Sequence, residues 1–112
     1  MKVIEIGNKA YEIKFTINTL VRMEEDGIDV MHMENLMNNM NFALIRKLFY
    51  YGLINSAGKS LTVNKAGDMM DEYLENHNYR DLMTALLTEL AKALGYDVDA
   101  KEQGELDEEA GK

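Results

Sequence analysis

The chain has 112 residues, the length of one folded domain, and it lacks cysteine, which excludes disulfides, thiolate catalysis and cysteine-based metal sites. Its formal net charge is −8, so it has no basic face to neutralise phosphates, and we expect no nucleic-acid partner. No apolar stretch approaches the roughly 18 residues of a membrane helix, and no basic leader precedes an apolar run, so we expect neither membrane insertion nor a signal peptide.

Residues 2–15 alternate apolar and polar side chains on either side of Gly7-Asn8-Lys9. Such alternation predicts half-buried strands, and a Gly-Asn step supplies the positive φ of a tight hairpin turn. The side chains expected on the apolar strand faces are Ile4, Ile6, Tyr11, Ile13 and Phe15. Because an isolated hairpin is only marginally stable in water, this one must pack on the helices that follow or pair with another chain.

Two helices are predicted between residues 16 and 40. Thr16 or Asn18 can cap the first helix, and Gly27 is placed to end it. The residues at helical spacing that are expected to share one face of this helix are Ile17, Leu20, Val21 and Glu24. Asp29 is predicted to cap a short second helix. The apolar positions of that helix are Val30, Met33, Leu36, Met37 and Met40.

Three longer helices follow, each preceded by a residue that favours the helix N-cap. Asn41 is predicted to cap a third helix that ends at Gly58, Thr62 a fourth, and Asn78 a fifth that ends at Gly95. The third helix has a main apolar stripe widened on both sides, formed by Phe42, Ile45, Leu48, Phe49, Leu53, Leu44, Tyr51 and Ile54. A helix that is apolar around most of its circumference usually lies at the centre of its domain or at an interface.

Residues 97–112 differ in composition from the rest of the chain. They hold seven acids against two lysines, a net charge of −5, and show no helical or strand periodicity. Because so polar a segment buries too little apolar surface to fold, we predict a flexible, disordered acidic tail. Residues 1–96 are predicted to form one mainly helical α+β domain, with the hairpin packed against about five helices.

No catalytic motif is visible in the sequence. The only two serines share one helix-to-helix turn without a nucleophile-elbow pattern, and His32 and His77 have no second histidine one turn away. Gly58-Lys59-Ser60 resembles the end of a phosphate-binding loop, but Leu53 stands where the first glycine is required. We therefore expect no enzyme activity, no cofactor and no metal site.

Methionine and aromatic side chains are the candidates for a protein-binding surface. The methionines crowd the short second helix, where they either fill the core or form an adaptable surface. The aromatic rings lie on more than one side of the third helix, so some should remain exposed unless a second chain covers them, and exposed aromatics concentrate binding energy. The positions predicted to contact a partner are Met33, Met37, Met40, Phe49, Tyr50 and Tyr51.

The fourth helix carries an acidic stripe formed by Asp68, Asp71, Glu72 and Glu75. A rigid stripe of this kind usually faces water, because a calcium site needs ligands that wrap from a flexible segment. The other interpretation is contact with a basic partner, and on that basis we include these four residues among the predicted protein-binding positions.

Three stretches in this order carry a family resemblance: YEIKFTINTLVRMEEDG, RKLFYYGLINSAGKSLT and AGDMMDEYLENHNYRDLMTALLTELAKALG. Together they resemble the tail assembly chaperones of long, non-contractile-tailed phages and prophages of Gram-positive bacteria. The resemblance covers about residues 2–96 and rests on the order of these stretches rather than on a catalytic signature.

The resemblance implies a small protein of the bacterial host cytoplasm that is absent from the mature virion. Such proteins bind the tape measure protein, a long hydrophobic helical chain, and keep it soluble while the tail tube polymerises around it. The tape measure protein is therefore the expected partner, with the tail tube protein as a further one. A longer form commonly arises by programmed ribosomal frameshifting, and this chain would be the short product.

The alternative interpretation is a small acidic regulatory protein, an inhibitor or nucleic-acid mimic. It draws on the acidic stripe together with the acidic tail. We also expect a homo-oligomer, formed through the free edge of the hairpin or through Phe49 and its neighbours.

Overall fold

The computed structural model describes residues 2–96, which form a two-stranded antiparallel hairpin followed by five helices. The strands are β1 (Lys2–Ile6) and β2 (Lys9–Ile13). The helices are α1 (Ile17–Glu25), α2 (Met33–Asn38), α3 (Phe42–Ala57), α4 (Val63–Leu74) and α5 (Tyr79–Ala93). The predicted α+β, mainly helical class is confirmed. The predicted tail, residues 97–112, lies outside the described residues.

The hairpin is stabilised by the helices of its own chain. Its strands pair from Ile6↔Lys9 beside the turn to Lys2↔Ile13 at the open end. Gly7 begins the turn at φ +65°, a conformation that residues with a Cβ rarely adopt. The face carrying Ile4, Ile6 and Ile13 is buried, because β1 contacts α4 and β2 contacts α3. Of the two arrangements that the sequence allowed for the hairpin, packing on the helices that follow is therefore the one observed.

Four of the five helices begin at side-chain caps, and the predicted caps of α3, α4 and α5 are confirmed. In each helix the cap side chain accepts the backbone N–H three residues on, which satisfies a donor that the first helical turn leaves unpaired. The donor-to-acceptor distances are 3.2 Å at Thr16, 2.8 Å at Asn41, 3.1 Å at Thr62 and 2.8 Å at Asn78. Thr16, rather than Asn18, therefore caps α1.

The prediction for the start of α2 is wrong. Asp29 does not cap this helix, which begins at Met33 after His32, a residue that makes no side-chain capping bond. The Asp29 carboxylate instead accepts a hydrogen bond from Nδ1 of His32 at 2.9 Å and a longer one from Nδ2 of Asn35 at 3.4 Å. Val30, which is 1% exposed, therefore packs into the core from the connection before the helix.

The buried face of α1 also differs from the prediction. Ile17 and Val21 are 71% and 45% exposed, whereas Thr19, Leu20 and Met23 are buried. Burial of Thr19 costs little because its hydroxyl is hydrogen bonded to that of Thr16 at 2.9 Å. The helix is thus turned so that a satisfied polar side chain faces inward while two aliphatic side chains face water.

The central helix is α3, which contacts β2, α1, α4 and α5. Strand β2 lies directly over Gly52, because a Cβ at that position would stand 3.1 Å from both Cγ2 of Ile13 and Cζ of Phe15. The N–H of Lys14 also donates to the Gly52 carbonyl at 2.9 Å. The missing side chain at position 52 therefore lets the sheet rest on the helix.

Candidate protein-binding surfaces

The methionines of α2 lie at or near the surface. Leu36, at 3% exposed, is the side chain that anchors this six-residue helix in the core. Met37 is 55% exposed, and Met33 and Met40 are half-buried against the core. The structure therefore places one of the three predicted methionines in full contact with solvent and the other two at the margin of the core.

Two of the three predicted aromatic contact residues belong to the core, so their assignment to a surface is corrected. Phe49 is 0% exposed and Tyr51 8%, while Tyr50 is half-buried. Phe49 points into the centre of the fold because α3 is covered by neighbours on several sides. Self-association through an exposed Phe49 is therefore excluded for this conformation. Of the three aromatic residues, Tyr50 alone retains substantial exposed surface.

Tyr51 links α3 to the end of α1. Its hydroxyl donates a hydrogen bond to Oδ2 of Asp26 at 3.1 Å, and Nζ of Lys47 lies 3.3 Å from Oδ1 of the same carboxylate. Burial of the ring and this hydrogen bond raise the pKa of Tyr51 to about 12. The arrangement joins α1 to α3 through one carboxylate.

The most exposed aromatic ring in the described part of the chain belongs to the main apolar stripe that the sequence predicts for the third helix. Phe42 is 75% exposed, and its ring centroid lies 5.1 Å from that of Tyr79 at an angle of 58°. It is the first residue of α3, immediately after the Asn41 cap. That position at a helix end was the available signal, because a first-turn side chain can extend past the neighbours that cover the helix centre.

Phe42 forms the lip of an apolar groove of about 390 Å³ between α3, α4 and α5. We call this the Phe42 groove. Its apolar lining consists of Phe42, Ala43, Met70, Leu74 and Tyr79. A volume of this size is within the range that binds small ligands or a few partner side chains.

Two opposite charges face the Phe42 groove, one from each of two helices. Arg46 lies on the α3 side and Asp71 on the α4 side, and no ion pair joins them within residues 2–96. The Nε of Arg46 is buried without a hydrogen-bond partner among the described residues. A buried donor left unpaired costs free energy, and no polar group within residues 2–96 fixes this atom of Arg46.

The four residues of the acidic stripe of α4 are exposed, but they do not form one surface. Asp71 lines the Phe42 groove and Asp68 lies one turn before it. Glu72 and Glu75 instead line a concavity under the hairpin turn. Among residues 2–96, no cluster of three or more histidine, aspartate or glutamate side chains is arranged to hold a metal ion.

A second concavity, of about 430 Å³, lies between the connection after α1, helix α2 and the first half of α3. Asp29 is one of its lining residues, and the hydrogen bond from His32 lowers the pKa of this carboxyl from its ordinary value of 3.8. Lys47 and Asp26 also line it. Its rim is therefore more polar than that of the Phe42 groove.

The outer edge of β2 is closed by α3. The N–H of Glu12 donates to Oγ of Ser56 at 3.1 Å, and the N–H of Lys14 donates to the Gly52 carbonyl at 2.9 Å. Both donors point away from β1, as alternate backbone donors of an antiparallel strand do, and they lie toward the end of β2 that is farther from the turn. No further strand can bind at this edge without displacing the helix.

The outer edge of β1, by contrast, makes no backbone hydrogen bond within residues 2–96. Val3 lies opposite Glu12, whose N–H points away from β1, so Val3 and then Glu5 direct their own backbone groups outward as well. A groove of about 790 Å³ runs beside this edge, with α5 as its far wall. The sheet therefore has one open edge and one closed edge.

Among residues 2–96, no helix combines the length and the apolar character that crossing a membrane requires. Comparison with protein-family models, with curated proteins and with solved structures finds no match.

Proposed function

We propose that this chain is a non-enzymatic phage tail assembly chaperone, which binds the tape measure protein and keeps it soluble in the host cytoplasm before the tail tube closes around it. The observation that carries the proposal is apolar exposure in one stretch of the chain. Met31, Met37 and Phe42 are 64%, 55% and 75% exposed. Where such side chains lie together on a surface, that surface typically contacts another protein.

The proposed mechanism combines apolar cover with charge. A hydrophobic helical client aggregates because its apolar stripe is exposed, and methionine and phenylalanine side chains on the chaperone can cover such a stripe. The net charge of −8 then keeps the complex apart from other complexes by repulsion. Because apolar contacts have little directional character, the client can be released when contacts inside the tube replace them.

The test is co-expression with the neighbouring tape measure protein. We expect the soluble fraction of that protein to rise when the full chain is present and to stay low when an unrelated acidic protein of similar size replaces it. A tape measure protein that is equally insoluble with and without the chain contradicts the proposal.

The alternative is an acidic regulatory protein that mimics nucleic acid. It is favoured by the four exposed carboxylates of α4, which form no ion pair within residues 2–96. Deletion of residues 97–112 separates the two functions. A charge mimic should lose most of its binding and weaken steeply as salt rises, because exposed charges are screened. A chaperone that binds through apolar side chains should keep most of its binding.

We also propose that a second copy of the chain pairs at the open edge of β1. Val3 and Glu5 point their backbone groups outward there, and Val3 is 58% exposed. Sedimentation at high concentration tests this, with Val3→Pro as the variant that removes one edge donor. The proposal expects a dimer that the variant weakens, and a chain that stays monomeric at high concentration contradicts it.

A further inference from the structure

We infer that the Phe42 groove binds one amphipathic helix of a protein partner, with its apolar ridge in the groove, an acidic residue beside Arg46 and a basic residue beside Asp71. This inference rests on the proposed function only in naming the partner as a segment of the client. It adds the place of binding, the conformation of the bound segment and the charge pattern that the segment must carry.

The conformation of the partner follows from the walls of the groove. They are formed by side chains of α3, α4 and α5, and the polar groups they offer belong to side chains. An extended segment would leave its own backbone donors and acceptors unpaired there, which costs free energy. A helix satisfies its backbone internally and brings only side chains to the groove, usually at a spacing of three or four residues.

The apolar part of the recognition centres on Phe42 and Tyr79. Their rings lie at an angle to each other at the mouth of the groove, and Met70 and Leu74 line it from α4. Phe42 is 75% exposed, so covering it removes a large apolar area from water. Aromatic side chains at the centre of an interface carry much of its binding energy.

The charge pattern follows from the two helices that flank the groove. Arg46 has no carboxylate partner within residues 2–96, and Asp71 has no basic partner there. Asp68, one turn before Asp71 on the same helix, extends the negative side. A helix with basic residues along one flank and acidic residues along the other complements both sides at once, whereas a helix of a single charge sign is repelled by one of them.

The binding experiment uses two synthetic helical peptides of about 18 residues, a length at which a well-designed sequence is helical in water. Both carry leucines at a spacing of three and four. The mixed peptide has lysines along one flank and glutamates along the other, and the acidic peptide has glutamates along both. Fluorescence anisotropy of dye-labelled peptides measures the dissociation constants of all variants. Since the chain has no tryptophan, Phe42→Trp in addition gives a fluorophore in the groove that should shift to shorter wavelength when the mixed peptide binds.

Phe42→Ser tests the apolar contact, and Ile17→Ser is its matched control because Ile17 is 71% exposed on a different helix. We expect Phe42→Ser to weaken binding of the mixed peptide roughly tenfold or more, as for the central residue of an interface. Ile17→Ser should leave the dissociation constant unchanged. Circular dichroism establishes that both variants fold. Equal affinities of the two folded variants would overturn the inference.

Asp71→Lys tests the charge pattern, and Glu25→Lys, which makes the same charge change at an exposed site on α1, is its control. Asp71→Lys should weaken binding of the mixed peptide by up to about fivefold, the upper end for an ion pair at an exposed rim. It should at the same time strengthen binding of the acidic peptide. Glu25→Lys should leave the ratio of the affinities for the two peptides unchanged. An unchanged preference in Asp71→Lys would refute the assigned charge pattern.

The same variants separate this inference from the proposed function. If the wild-type chain and Phe42→Ser keep the tape measure protein equally soluble, the chaperone function stands and the Phe42 groove is the wrong site. If the mixed peptide binds the groove as expected but the tape measure protein stays insoluble, the groove stands and the proposed client is wrong.

Discussion

Replacing Gly52 and Gly67 by alanine should change stability in different directions, although both glycines lie within helices. Alanine is favoured over glycine in a helix interior by about 1 kcal/mol. At position 52 the new Cβ would lie 3.1 Å from atoms of Ile13 and Phe15, which are buried between β2 and α3. Forcing extra volume into a packed core costs about 1–3 kcal/mol. Gly52→Ala should therefore lower the free energy of unfolding by about 0–2 kcal/mol.

At position 67 the obstacle is a flexible side chain rather than the core. The new Cβ would lie 3.0 Å from Cδ of Arg46, which borders the open Phe42 groove and can swing outward. That movement would also bring the unpaired Nε into water. Gly67→Ala should therefore raise the free energy of unfolding by up to about 1 kcal/mol, which is the helix preference of alanine.

Urea unfolding monitored by circular dichroism at 222 nm measures both values, and an unchanged dependence on urea establishes that the variants share the same folded state. The expected gap between the variants is about 1–3 kcal/mol, which corresponds to a difference of several degrees in Tm for a domain of this size. Close packing of β2 on α3 would be refuted if Gly52→Ala were as stable as Gly67→Ala or more so.

Three further changes test the contacts that hold the hairpin and the α1–α3 junction. Tyr51→Phe should lower the free energy of unfolding by about 1 kcal/mol at neutral pH through loss of the bond to Asp26. Since the pKa of Tyr51 is raised to about 12, only the unfolded state loses this proton between about pH 10 and 12. Across that range, wild-type stability in urea titrations should fall with rising pH more steeply than that of the variant. Gly7→Ala should destabilise the fold by about 1–3 kcal/mol, because φ is +65° and the new Cβ would lie 2.6 Å from Oε2 of Glu72. Adding Glu72→Ala should restore part of this loss in thermal unfolding. If stability does not recover, the close approach to Glu72 does not contribute to the destabilisation. Ser56→Ala should speed hydrogen exchange of the Glu12 amide, whose hydrogen bond Ser56 accepts. Unchanged exchange measured by NMR would show that this bond does not protect the edge of β2.

Local signals predicted the elements of this fold well. Asn41, Thr62 and Asn78 cap the helices that the sequence assigned to them, because an N-cap depends on one side chain and a backbone N–H three residues away. The alternation around Gly7 predicted the hairpin for the same reason. The prediction that Asp29 caps α2 failed because its carboxylate accepts hydrogen bonds from two nearby side chains, His32 and Asn35, instead.

The orientation of the helices was harder to predict than their positions. Apolar residues lie around most of α3, so its sequence pattern does not indicate which side faces inward. Phe42 and Phe49 share the predicted stripe, yet Phe42 is 75% exposed and Phe49 0%. In α1 the buried face depended on a hydrogen bond between the hydroxyls of Thr16 and Thr19, which allows the polar Thr19 side chain to lie in the core. The Phe42 groove could not be predicted, since it is formed by three helices whose relative placement only the fold provides.

The unequal edges of the hairpin limit how far this chain can assemble through its sheet. A sheet with two free edges can add strands on both sides, which is how edge-to-edge fibres grow. Here Ser56 and Gly52 accept the outward donors of Glu12 and Lys14, so α3 covers all but the turn end of the β2 edge, and a full strand can add only at β1. Two copies that join at β1 each use their single free edge, and the pair presents closed edges outward. Strand addition would thus end at two chains, and a protein that exposes apolar side chains avoids fibre growth through its own sheet.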